Sequence, residues 1–260
     1  MPSLKKRLHA AGCRFLSDRL LTVTGCQRSG TTLVFMMLAA HPAVRGYDES
    51  EIRFRFPPLR VLLKSRLAGR HTCVKHPMAT ACGDVAVRDF PHAVNVFVIR
   101  HPCSVVSSMR KLVFKDGESW LRKYARDELT RHRTTFEAIA ALDVASLSDV
   151  EAGAWVWAYK IRTADVFRQR GLDVHAIRYE DLLDDPRTQL SPVLEAVGLP
   201  WSPALLEHER FQSRAKFAGE NRADRPLDSK RRNPEWALSH VEIRQIEEIC
   251  AEGMSRLGYA

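Results

Sequence analysis

An apolar, β-branched run at residues 20–24 passes directly into Gly25-Cys26-Gln27-Arg28-Ser29-Gly30-Thr31-Thr32, and a helical stretch follows from 31 to 40. Glycines let such a loop curl until successive N–H groups face one point, and the helix behind it adds the positive end of its dipole. A strand, loop and helix in this order form an anion cradle, and its natural setting is a parallel α/β sheet with ligands at the carboxyl ends of the strands. Ser29, Thr31 and Thr32 add hydroxyl donors. Arg28 adds a permanent planar charge suited to phosphate or sulfate oxygens. The spacing of Gly25 and Gly30 is that of a Walker A loop, but Thr31 stands where that motif requires lysine. The Walker lysine serves β- and γ-phosphates, so a nucleoside triphosphate is disfavoured.

The rest of the chain fits the same architecture. Short apolar runs at 72–75, 94–99 and 173–178 alternate with longer helical patterns, and a piece at 43–45 reads as an edge strand. Helix-period apolar positions at Trp157, Ile161 and Phe167 place a long helix over 154–170, and 241–257 reads as a closing amphipathic helix. The expectation is an α/β, P-loop-like three-layer fold: a mainly parallel sheet of four or five strands flanked by helices, with residues 1–260 as a single domain. Residues 213–234 are polar, basic and poor in apolar side chains, and read as a lid-like loop.

A second anion site is written into the strand at 94–99. It ends in Arg100, where a Walker B strand would end in an acid that holds Mg²⁺. Pro102 then opens a helix, and Ser108 lies about two turns into it. Arg100 and Ser108 therefore converge on one anion beside the loop. An arginine at that strand end argues for a second phosphate and against metal-dependent phosphoryl transfer.

The net charge of +9 favours anionic partners without choosing among them. No two of the six cysteines have C-x-x-C spacing, which disfavours a zinc or redox centre and suits small buried thiols in a reducing compartment. The basic start of the chain lacks a signal-peptide core, and no apolar run is long enough to span a bilayer. The expectation is a soluble, cytoplasmic protein with no membrane span.

Together these motifs resemble the sulfotransferase family, which uses 3′-phosphoadenosine 5′-phosphosulfate (PAPS). The loop at 25–32 looks like the family's 5′-phosphosulfate loop, and Arg100 with Ser108 has the spacing of its 3′-phosphate motif. Ile177-Arg178-Tyr179-Glu180-Asp181-Leu182-Leu183 looks like its R-Y-E-D-L-L strand end. Ser229-Lys230-Arg231-Arg232, followed by Trp236, resembles the basic C-terminal loop that closes on the nucleotide. Lys75-His76-Pro77 is similar to the Lys-x-Pro strand end of the tyrosylprotein and carbohydrate-type branch. That branch takes its base from a glutamate after the loop helix, a position on which Glu49 falls. In the cytosolic small-molecule branch the strand ends Lys-Thr-His. Here His76 comes one position early, and alternation along the strand points it to the other side. Where tyrosylprotein enzymes carry arginine this chain has Glu51, which counts against a tyrosine-peptide acceptor.

The resemblance implies sulfuryl transfer from PAPS to a hydroxyl or amine, with PAP as product and no metal. Glu49 would be the general base, with Asp48, Glu51 and His76 as rivals. Lys75 and Arg28 would stabilise developing charge. Arg28, Ser29, Gly30, Thr31 and Thr32 would hold the 5′ end of the nucleotide and Arg100 and Ser108 its 3′-phosphate. Tyr179 would contact the adenine, and Lys230 and Arg231 would close over it. Carbohydrate, lipid head group, peptide and small-molecule hydroxyl are all open as acceptors, and no nucleic-acid partner is expected. Two other readings compete. A P-loop kinase or nucleotide hydrolase needs the missing Walker lysine. A non-catalytic polyanion binder needs the positive charge but not the loop.

Overall fold

A computed structural model describes residues 4–49, 52, 57–77, 83–134, 136–210, 227 and 236–259. In chain order the elements are α1 (Leu4–Phe15), β1 (Leu20–Gly25), α2 (Thr31–Ala40), β2 (Val44–Tyr47), α3 (Leu59–Leu67), β3 (His71–Lys75), α4 (Gly83–Asp89), β4 (Val94–Ile99), α5 (Pro102–Lys111), α6 (Arg126–His132), α7 (Glu137–Ala140), α8 (Asp149–Gln169), β5 (Asp173–Arg178), α9 (Tyr179–Asp184), α10 (Pro186–Ala196) and α11 (His240–Arg256). One π-helical turn, Leu121–Ala125, leads into α6.

The five described strands form one sheet in the order β2-β3-β1-β4-β5, and each of its pairings is parallel. This is the expected P-loop-like α/β fold. All residues of β1, β3 and β4 are buried, which is why these strands read as near-continuous apolar runs rather than as alternating ones. Alternation survives in where the side chains go. Leu21, Val23, Val94, Val96 and Val98 meet α2, α9 and α10 on one face. Phe97 and Ile99 meet α5, α8 and α11 on the other. Leu20 and Val74 pack there with Cys13 of α1 and Leu62 of α3. The sheet is therefore the middle of three layers.

The chain leaves β1 toward β2 and β3 on one side and later returns to β4 on the other. β1 thus marks the point where strand order reverses, and its carboxyl end opens a crevice between β3 and β4. The strand expected at 43–45 proves to be β2, which starts one residue later and runs on to Tyr47, and it is an edge as expected. The long helix starts at Asp149 rather than 154, because Ser148 and Glu151 form a capping box there. The R-Y-E-D-L-L run is not all strand. β5 stops at Arg178, and Tyr179 begins α9. The lid-like loop falls almost entirely outside the described residues.

One buried polar group ties the sheet's centre. Asn95 on β4 accepts the Thr22 hydroxyl proton of β1 at 2.7 Å, and donates to the carbonyls of Ala93 and Asp173 at 3.0 Å each. Asn95→Ala leaves these groups without their partner in a dry interior and should lower unfolding free energy by about 1–3 kcal/mol. Urea denaturation followed by circular dichroism measures it.

Candidate nucleotide site

Three chain segments converge at the crevice: the loop after β1, the end of β3 and the end of β4. The loop is shaped by steric necessity. Gly25 has φ +136°, and a Cβ there would sit 2.4 Å from the Val98 carbonyl oxygen of β4. Gly30 has φ +100°, and its Cβ would meet the Tyr179 ring at 2.3 Å. Between them Arg28 takes φ +70°, the one positive value at a non-glycine position among the described residues. Strain of this kind costs of order 1–3 kcal/mol and persists where the surroundings enforce it.

The two arginines are brought together. Arg28 Nε donates to Ser108 Oγ on α5 at 3.0 Å, and Arg100 Nη1 lies 3.4 Å from the Arg28 carbonyl oxygen. The Arg100 guanidinium stacks 4.3 Å over the Tyr179 ring, a cation–π contact. Trp157 of α8, wholly buried, donates its indole N–H to the Arg100 carbonyl at 2.9 Å and so fixes where β4 ends. Burial pushes the Arg28 pKa down, and the neighbouring Arg100 charge adds to that push. Ser29 Oγ and Arg100 Nε are buried and have no hydrogen-bond partner among the described residues. Two like charges beside two unused polar atoms are what an oxyanion would complete. The residues present fit an anionic group such as a phosphate or sulfate.

At the end of β3, Lys75 is 4% exposed. Its Nζ lies 2.8 Å from Asp48 Oδ2, 3.5 Å from Glu49 Oε1 and 3.3 Å from Thr32 Oγ1. This amine thus joins the acidic turn after β2 to the first turn of α2. Asp48 is buried, and the Glu49 side chain is 39% exposed. Desolvation raises the Glu49 pKa and Asp48 adds to it, against the opposing pull of Lys75 and Lys160. His76 extends the β3 ladder, its amide donating to the Val23 carbonyl at 2.9 Å. Glu51, Lys230 and Arg231 lie outside the described residues.

The sequence reading missed a buried ionic support beneath the loop. Lys160 of α8, 1% exposed, donates to Gln27 Oε1 at 2.5 Å and lies 2.8 Å from Glu128 Oε1 of α6. Tyr159 donates its hydroxyl to the same Glu128 oxygen at 2.8 Å. Burial alone would raise the Glu128 pKa, but Lys160, Tyr159 and His132 outweigh it and hold the group below its usual range. A lysine among the apolar positions of α8 was the available signal. Trp236, which follows the basic segment singled out in the sequence, marks where the C-terminal segment arrives. Trp236 stacks on His101 at 5.0 Å and donates to Ser104 Oγ, and the Ala237 amide donates to Ser107 Oγ. The segment therefore docks on α5 one turn from Ser108.

The model of a family described as "Sulfotransferase family" matches residues 21–66 and 59–203. Protein-tyrosine sulfotransferase 1 of Danio rerio is 24% identical over 283 residues, spanning 92% of this chain and 72% of that protein. Carbohydrate sulfotransferase 2 of Mus musculus is 37% identical over 90 residues, 32% of this chain and 16% of that protein. Among solved structures, the sulfotransferase domain from the Synechococcus PCC 7002 olefin synthase gives a TM-score of 0.55 at 17% identity, covering 89% of this chain and 94% of that one. At such identity the likeness concerns the fold.

Lys160→Met leaves Glu128 as a buried charge without its cation. It should destabilise the protein by about 3–5 kcal/mol, and Lys160→Met with Glu128→Leu should recover part of that loss. Thermal unfolding of the three proteins tests it.

Proposed function

Because the chain belongs to the sulfotransferase family, we propose that it moves the sulfuryl group of PAPS to a hydroxyl or amine of an acceptor, with Glu49 as general base. The observation that carries this reading is that Arg100 lies against the Arg28 carbonyl while Arg28 bonds Ser108, beside a buried Ser29 hydroxyl with no hydrogen-bond partner among the described residues. PAPS supplies the activated sulfuryl group, and its PAP portion leaves. Arg28, Ser29, Gly30, Thr31, Thr32 and the loop N–H groups bind the 5′ end of the nucleotide. Arg100 and Ser108 bind the 3′-phosphate. Tyr179, wedged between Gly30 and Arg100, keeps the guanidinium in place and flanks the base.

Lys75 brings positive charge to the oxygen that bears negative charge as the bond to sulfur breaks. Asp48 holds that amine in place from the buried side. This division of labour explains two adjacent carboxylates: Asp48 anchors the lysine, and Glu49, the more exposed of the two, takes the acceptor proton. Arg28, Arg100 and Lys75 supply the cationic charge the transfer needs. Names of the relatives point to protein tyrosine and carbohydrate, which supports a hydroxyl acceptor. A metal-dependent kinase reading has no such support, since Arg100 occupies the strand end where a magnesium-binding acid would stand.

Two experiments test the roles. Arg100→Ala should weaken PAP by about 1.5–3 kcal/mol, the scale of hydrogen bonds to a charged group, and barely change binding of adenosine 5′-phosphosulfate, which lacks the 3′-phosphate. Calorimetric titration of both ligands decides, and equal losses would refute the assignment. Glu49→Gln should lower turnover by about 10²–10⁴ while PAP affinity stays within a few-fold, as expected for loss of a general base. The base works deprotonated, and its pKa is raised. Activity should therefore fall as pH drops through a value above the ordinary glutamate pKa of about 4.3, and Glu49→Gln should abolish that limb.

A further inference from the structure

Four of the eight large apolar side chains exposed among the described residues sit on two neighbouring helices: Leu8 and Phe15 on α1, Leu63 and Leu67 on α3. Phe15 is 75% exposed and Leu67 80%. Leu8 and Phe15 are two helical turns apart and Leu63 and Leu67 one turn apart, so each pair forms a stripe on one side of its helix. Cys13 and Leu16, and Leu62 and Ser65, face the interior instead. The helices meet where Gly12 adjoins Leu59, and the Arg66 guanidinium lies 6.0 Å from the Phe15 ring. The two stripes are thus parts of one apolar patch.

The charge around that patch has one sign. α1 carries Arg7 and Arg14, and α3 carries Arg60, Lys64 and Arg66, with no Asp or Glu on either helix. Asp18, just beyond α1, is held by Arg66 at 2.9 Å. On neighbouring α4, Asp89 is held by Arg88, and Asp84 is paired with Arg170. The rim of this exposed aliphatic and aromatic surface is therefore basic.

We propose that the α1–α3 face docks on an anionic lipid surface. Leucines and a phenylalanine on the outer side of short basic helices insert at the boundary between head groups and acyl chains, while the flanking Lys and Arg meet lipid phosphates and carboxylates. A nucleic acid would use the cations but leaves Leu8, Leu63 and Leu67 without a role. A second copy of the chain would set one basic rim against another. No helix among the described residues is long and apolar enough to cross a membrane, so the contact is peripheral. Its position also suits a working enzyme. α1 and α3 run into β1 and β3, so Phe15 and Leu67 lie at the amino ends of the strands, opposite the crevice at their carboxyl ends. A docked molecule keeps its site open to the solution.

Sedimentation of the full chain with vesicles tests this, using phosphatidylcholine alone and phosphatidylcholine mixed with phosphatidylserine. The mixed vesicles should bind at least about tenfold more protein, and added salt should release it. Phe15→Ser with Leu67→Ser, and separately Arg60→Ser with Lys64→Ser, should each cut binding about fivefold or more. All four side chains are exposed, so thermal stability and stabilisation by PAP should stay as in the parent protein. Absence of binding to either vesicle, or binding unaffected by the apolar pair, overturns the proposal. So does a dimer seen by light scattering that the apolar pair abolishes without any vesicle binding. Retention of single-stranded RNA without vesicle binding, lost on the charge substitutions, would assign the face to nucleic acid instead.

Discussion

Arg28 and Arg100 stand next to each other in a half-buried cradle, and this juxtaposition of like charges governs the surrounding structure. Each arginine is placed by a backbone device rather than by its own preferences. Arg28 is carried at φ +70° by a loop pinned between Gly25, under the Val98 carbonyl, and Gly30, under Tyr179. Arg100 is set by the end of β4, where the Trp157 indole holds its carbonyl. Burial and mutual repulsion both work against the charge on Arg28. A site that holds such a pair is pre-organised for an anion, because the reorganisation that water would require has already been done by the fold.

The supporting layers follow from that requirement. Lys160, Glu128, Tyr159 and Gln27 form a buried ionic and hydrogen-bonded floor under the loop. Such a floor adds little net stability, since desolvation offsets the attraction, but its geometry is hard to change once formed. On the opposite flank Lys75 is fastened to Asp48 and Thr32, so the third cation of the site is as fixed as the other two. α5 serves two purposes. Ser108 faces Arg28, while Ser104 and Ser107 receive Trp236 and Ala237. One helix therefore couples the Arg28 loop to the return of the C-terminal segment.

The fold was largely legible in the sequence because buried parallel strands are continuous apolar runs, and Val94–Ile99 and Asp173–Arg178 were read to their exact bounds. The loop after β1 was legible because Gly25 and Gly30 occupy positions where no side chain fits. Elements such as α3, α4 and α10 were not seen, since short helices of mixed polarity carry weak periodicity and are held by packing. Among the residues singled out in the sequence, Arg28 lies in the loop after β1, Glu49 in the turn after β2, Lys75 and Arg100 at the ends of β3 and β4, and Ser108 on α5. Lys160 and Glu128 were missed because their partnership spans α6 and α8, and only the assembled fold joins them. Asp48 was seen as a rival base. Its 2.8 Å contact with Lys75 and its burial suggest the different task of anchoring.

The account rests on the claim that the cradle is built for a nucleotide with a 3′-phosphate and a 5′-anion, and that protein cations rather than a divalent metal balance it. Thermal unfolding in the presence of EDTA and PAP tests this most directly, with ATP plus Mg²⁺ and heparin measured alongside. PAP at about 100 times its dissociation constant should stabilise the protein by about 2.7 kcal/mol. ATP plus Mg²⁺ should do much less, and heparin should not reproduce the effect. Stabilisation by ATP plus Mg²⁺ that exceeds that of PAP in EDTA would contradict the account.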